Sequence, residues 1–196
     1  MSTDSAQLFF GLLTFVAAAG ALALIGLRLA AAAGNDAATR AGHELHQAST
    51  WLAFLVAATA TAGSLYFSEV AHSVPCRLCW FQRIAMYPLS VILLVGALRK
   101  DPAVRWYAGP LAAVGAFVAA YHSLIEWKPE LDTGACEVFG PSCTDIWFKE
   151  FGFLTVASMA LIGFLTILLL MFLRFPATLD GTVLDDGVAP IQETVS

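Results

Sequence analysis

Two cysteines three residues apart open an apolar stretch in "VPCRLCWFQRIAMYPL", residues 74–89, and Arg83 follows four residues after the second. Cys76-x-x-Cys79 can be a redox couple, half of a zinc site, or a structural bridge. A bridge across so short a loop removes little unfolded-state entropy and is strained, so it serves poorly as a staple and well as a redox pair. Cys79 stands where an extended segment ended by Pro75 turns into a helix, and thiol acidity rises at a helix N-terminus and beside a cation. Arg83, one turn further on the same face, could stabilise a Cys79 thiolate and hydrogen-bond a ligand carbonyl. The bland alternative for Arg83 is snorkelling towards lipid headgroups.

The other two cysteines, Cys136 and Cys143, lie in "DTGACEVFGPSCTDIW" with six residues between them. Gly134, Gly140 and Pro141 predict a turn-rich loop, where a disulfide would be reachable by another protein. Two pairs, one exposed and one at the edge of an apolar segment, suggest thiol–disulfide exchange passed inward. Two other readings fit the same residues: a pair of structural disulfides, or four thiolates around zinc.

The elements that must position these residues are membrane spans. Of 196 residues, 59% are hydrophobic and 13% charged, with a mean hydropathy of +0.75; a soluble domain carries about a quarter charged residues. Hydropathy predicts five spans near 8–29, 51–70, 80–98, 106–125 and 151–172, each close to the roughly 20 residues needed to cross the hydrocarbon. None alternates with period two, which excludes a β-barrel and predicts an all-α integral membrane bundle. Gly109, Ala112, Gly115, Ala116 and Ala119 in the fourth span predict close helix packing, and Pro88 a kink in the third. Residues 1–33 read as a retained N-terminal span rather than a cleaved signal, 48–174 as the redox membrane domain, and 175–196 as a disordered tail.

Arg28, Arg40, Arg99, Lys100, Arg105 and Arg174 fall on one side of this topology, which is therefore expected to be cytoplasmic. All four cysteines and the N-terminus then lie outside, on the oxidising side. The loop 126–150 is acidic, as an outward face allows. His43 and His46 fall on the cytoplasmic side, away from the chemistry. His72 and His122 fall on the cysteine side; His72 reads as an exposed loop residue. Gln82 could bond a ligand oxygen or hold the helix start. Trp80, Phe81, Trp127, Trp147 and Phe148 read as interfacial aromatics. With a net charge of -5 and no basic patch beyond these loops, nucleic acid is not an expected partner.

"CRLCWFQRIAMYPL" resembles the signature of the bacterial disulfide bond formation protein B (DsbB) family, and especially its Gram-positive BdbC-like branch. The likeness extends over about 51–172. It implies a four-helix transmembrane core that reoxidises an extracytoplasmic, DsbA-like thioredoxin-fold thiol oxidase and passes the electrons to a membrane quinone, ubiquinone or menaquinone, without metal. By resemblance, Cys136 would be attacked by the partner, Cys143 would be its loop mate, and Cys76 and Cys79 the membrane-proximal couple. Cys79, Arg83 and His122 would face the quinone, and Gln82, on its own chemistry, could bond a quinone oxygen or hold the helix start. Vitamin K epoxide reductase homologues run similar chemistry, but there the loop cysteines precede the Cys-x-x-Cys. Two features depart from the family pattern: the additional N-terminal span and a cysteine loop shorter than in the enterobacterial members.

Overall fold

The computed structural model describes residues 3–132, 141–144, 146, 149 and 151–175. Its regular elements are helical: α1 (Thr3–Ala32), α2 (Asp36–Leu65), α3 (Arg77–Arg99), α4 (Val104–Trp127) and α5 (Val156–Phe172). A π-helical turn (Tyr66–Val70) prolongs α2, and a short 3-10 turn (Pro129–Leu131) follows α4. The chain is a multi-pass membrane protein: α1 to α4 are long and apolar enough to span the hydrocarbon, where helices satisfy their own backbone groups.

Helix ends follow local chemistry. Gly34, at φ +89°, turns the chain after α1, and the Asn35 side chain accepts a hydrogen bond from Ala38 N to start α2. The predicted second span, 51–70, is therefore only the apolar half of a helix that begins at Asp36. The fifth starts later than the expected 151, because Thr155 and Ser158 form a reciprocal capping box that sets the first turn of α5 at Val156. At 17 residues, α5 is about 26 Å long. Pro88 lies inside α3, which continues through it to Arg99. Between α3 and α4, Asp101 accepts from Ala103 N and from the Tyr107 hydroxyl, tying down the basic link.

Helices α2, α3, α4 and α5 pack in a closed ring, each against the next and α5 back against α2; α1 lies outside, on the seam between α2 and α5. The core holds Leu89, Leu93, Phe164 and Ile167 against small residues of α2 and α4, including Ala53, Ala57, Ala108, Ala112 and Ala119. Lipid supplies no hydrophobic drive between helices, so the small residues act by letting neighbours approach closely. A Cβ on Gly115 would collide with the Phe164 ring. Gly115→Val is expected to lower the melting temperature in detergent by several degrees, corresponding to about 1–3 kcal/mol of overpacking. Gly20→Ala, where nothing lies within 4 Å of the new Cβ, is expected not to lower it. Equal melting of both variants and wild type would contradict the packing account.

Candidate functional site

The Cys-x-x-Cys spacing has a geometric consequence at a helix start. Cys76 is the N-cap of α3, with extended backbone, and its sulfur accepts a hydrogen bond from Cys79 N at 3.2 Å. That bond brings the side chain three residues on beside the cap: the two sulfurs are 2.7 Å apart, and both cysteines are free thiols. A disulfide bond is about 2.05 Å, so only a small closure joins them. Cys76 is buried and Cys79 half-buried.

Around this pair the fold assembles groups from four helices. His122 of α4 is buried, with Nε2 3.8 Å from Cys76 Sγ and 3.2 Å from the Cys143 carbonyl oxygen. Gln82, also buried, contacts His122 Nδ1 at 3.0 Å. With the Gln82 amide donating there, the ring carries its hydrogen on Nε2, directed at the sulfur and the carbonyl. Cys143 is disulfide-bonded and buried, in one cluster with Cys76 and Ile125. Cys136, Trp147 and Phe148 lie outside the described residues.

Arg83 donates from Nε to Ser64 Oγ at 2.9 Å and from Nη2 to Ser64 O at 3.0 Å, and its guanidinium lies 5.3 Å from the centre of the Trp80 ring. Tyr87 donates to the same Ser64 hydroxyl at 3.2 Å. Arg83 is thus held by α2, beside the π-helical turn, while the helix N-terminus and His122 act on Cys76. The sulfur of Cys76 is the better thiolate site on this geometry. Its pKa is pushed well below the ordinary thiol value, first by the hydrogen bond from Cys79 and then by His122, with burial opposing.

This acidity has a measurable consequence. In reduced protein the Cys76 thiolate is expected to persist below the pH at which an ordinary thiol protonates, and to be lost only as pH falls through the lowered pKa. The alkylation rate of the peptide carrying Cys76, followed by mass spectrometry, is expected to have its midpoint below about pH 8 and to level off above it. An ordinary thiol keeps gaining reactivity to about pH 8.5. A midpoint near 8 or 9 would remove the case for Cys76 as the standing thiolate.

Two groups near the cysteines had no clear signal in sequence. Glu126, one turn beyond His122 on α4, places Oε1 3.9 Å from His122 Nε2 and is almost fully buried. Its Oε2 accepts from Thr155 Oγ1 at 2.6 Å, which fastens the cap of α5 to the end of α4. Read as one acid among several in a loop, Glu126 does not stand out; its i+4 relation to His122 is the signal that was available. Ser64 is the other, since nothing in the sequence pairs it with Arg83. His72 is exposed at a positive φ, and His43 and His46 lie on the opening turns of α2, far along the helix from Ser64. Trp80, Phe81 and Trp127 are all exposed, as interfacial aromatics are.

A cavity of about 750 Å³ opens onto these groups, within the range of roughly 300–1,000 Å³ common for small-molecule sites. Cys76, Cys79, Gln82, Arg83, His122 and Glu126 line its cysteine end. As for metal, Cys76, Cys79 and His122 place three donor atoms within 4.8 Å of one another. A four-cysteine zinc site does not fit, because Cys143 is in a disulfide.

Comparison with known proteins agrees with this arrangement. The family model described as "Disulfide bond formation protein DsbB" matches residues 46–174. The chain is 41% identical over 123 residues to "Probable disulfide formation protein C 2" of Bacillus cereus, covering 63% of this chain and 88% of that protein. It is 40% identical to "Disulfide bond formation protein C" of Bacillus subtilis, covering 63% and 89%. It is 42% identical to "Probable disulfide formation protein" of Deinococcus radiodurans, covering 62% and 84%. No solved structure matches significantly. A paired, cap-activated dithiol in a membrane bundle, matched over most of the bundle, makes this chain a member of the DsbB family of disulfide-forming membrane oxidoreductases, in its BdbC-like branch.

Proposed function

We propose that this protein reoxidises a thioredoxin-fold dithiol oxidase outside the cytoplasm and passes the electrons to membrane quinone. The observation that carries the reading is the free Cys76–Cys79 pair at the polar end of a large cavity, packed in one buried cluster with disulfide-bonded Cys143. The bundle lies in the bacterial cell membrane with the cysteine end outward, as the basic links at the opposite end favour.

Electrons and protons balance at each exchange. The partner's dithiol becomes a disulfide as the Cys136–Cys143 disulfide becomes a dithiol, through attack of a partner thiolate on Cys136. That dithiol in turn reduces a Cys76–Cys79 disulfide, across the short distance the buried cluster provides. The Cys76–Cys79 dithiol then closes its S–S bond and gives up two electrons and two protons. A quinone supplies the matching acceptor, taking two electrons and two protons.

The residues fit such an acceptor. Arg83 spends Nε and Nη2 on Ser64, leaving Nη1 with no partner among the described residues and free to donate to a carbonyl oxygen at the cavity. Both cysteines line the cavity, and Cys79 is the more exposed residue of the two and the nearer in sequence to Arg83, so it faces the acceptor; Cys76 is the thiolate that closes the bond. His122 donates from Nε2 to Cys76 and holds it ready, Gln82 fixes the ring, and Glu126 offers a buried carboxyl beside it for the released proton.

The test is steady-state turnover of purified protein in detergent, with a reduced thioredoxin-fold oxidase as donor and a soluble quinone followed by absorbance. Quinone loss that depends on both protein and donor supports the reading. No loss with several donors and both ring types would reject it. Stoichiometric zinc in that inactive protein would favour the three donors Cys76, Cys79 and His122 as a metal site in a structural scaffold.

A further inference from the structure

The family match begins at residue 46, so α1 lies outside it, and the closed ring of α2 to α5 does not need α1 for its own contacts. Yet α1 is not merely attached to the surface. Gln7, Phe10, Thr14 and Ala17 all line the cavity, and their spacing of three, four and three places them on one face of the helix. Facing residues of α2 are small or polar along the same stretch: Ala60, Gly63 and Ser64. The Phe10 ring lies 3.0 Å from where a Gly63 Cβ would be, and it meets the Tyr66 and Phe67 rings. Phe15 meets Phe151 and Phe153 at the approach to α5. Aromatic contacts thus clamp α1 to both sides of the α2–α5 seam, and the cavity lies behind it.

The shape of the cavity says what such a wall would cover. Its charged groups and, apart from the Thr14 and Thr59 hydroxyls further in, its polar ones gather at the cysteine end, near Arg83 and Ser64. From there it continues along α2 to Leu55, about 13 Å further into the membrane, with Val56, Met159 and Ile162 among its lining. A redox ring fills the polar end only. The remainder is a long apolar channel that opens from that end and suits an attached hydrocarbon chain.

We propose that α1 is the wall of an isoprenoid-tail channel: the added helix encloses the quinone's tail and sets the chain's preference for tailed over tailless quinones. This rests on the quinone reading above. Residues 7, 10, 14 and 17 of α1 form the tail-facing surface, while Leu12, half-exposed and not among the lining, faces lipid.

The test compares KM for a decyl-substituted quinone and for its tailless ring analogue, using full-length protein in detergent with dithiothreitol as reductant. Ala17→Phe puts a ring into the channel and is expected to raise the ratio of tailed to tailless KM by about tenfold. Leu12→Phe, about 7 Å nearer the cysteine end and on the lipid side, is expected to leave the ratio as in wild type. A ratio unmoved by Ala17→Phe, or both KM values rising together, would overturn the inference while leaving quinone reduction standing. Equal KM values for the two quinones in wild type would overturn it as well. A wild type that reduces neither quinone would reject the quinone reading, and the channel with it.

Discussion

Cys76→Ser is expected to stop continuous turnover, lowering the rate by about a thousandfold or more, as loss of a covalently acting group does. Serine cannot form the S–S bond that releases two electrons together. The substitution is unusually informative because Cys76 also caps α3, its sulfur accepting from Cys79 N. Serine is a preferred N-cap, so the helix start and the melting temperature should be kept or improved. Loss of activity then reports chemistry and not unfolding. The loop disulfide at Cys143 remains able to oxidise the partner once. The account therefore expects one equivalent of partner oxidised per protein, followed by none, with no quinone reduced. Continued turnover in this variant would show that electrons bypass the Cys76–Cys79 pair.

Arg83→Leu is expected to lower kcat/KM for quinone by about a hundredfold, equivalent to roughly 2–3 kcal/mol for a lost charge-assisted hydrogen bond. Two roles have to be separated. Arg83 anchors α3 to α2 through both the hydroxyl and the carbonyl of Ser64, and it presents a guanidinium to the cavity. Ser64→Ala removes the bond from Nε and the Tyr87 contact while leaving the carbonyl bond and the charge. Ser64→Ala is expected to cost no more than a few-fold in kcat/KM and about 1 kcal/mol in stability. Arg83→Lys keeps charge without the fork and should fall between the two. If Ser64→Ala and Arg83→Leu lose activity equally, the arginine acts by holding the helices together. If neither loses activity, it has no part in quinone reduction.

Much of this site could be read from the chain because it is local. Cys-x-x-Cys places a cap and its third neighbour side by side, and Arg83 follows one turn later; both are rules of a single helix start. The spans were legible because their composition is dictated by lipid. What stayed hidden depends on partners distant in sequence. Ser64 meets Arg83 across nineteen residues, and Thr155 meets Glu126 across twenty-nine. In α1 the cavity side is marked only by a few uncharged polar residues, Gln7 and Thr14 among them, too sparse a stripe in an apolar helix to tell that side from the lipid side by sequence. Hydropathy likewise missed the opening turns of α2, which are polar and helical at once.

The same limit explains the thiolate assignment. Sequence spacing favours Cys79, one turn from Arg83. The structure engages Arg83 with Ser64 and gives Cys76 the cap position and the His122 contact. Position at a helix N-terminus is a matter of one residue, and spacing alone does not fix which cysteine takes the cap.

The Cys76–Cys79 dithiol itself is expected to reduce a quinone, which can be measured without a partner protein. Full-length protein would be reduced, freed of reductant and mixed with one equivalent of quinone in the absence of oxygen. The expected result is one quinol formed per protein together with a Cys76–Cys79 disulfide found by peptide mapping. Unreduced quinone alongside intact Cys76 and Cys79 thiols would contradict it.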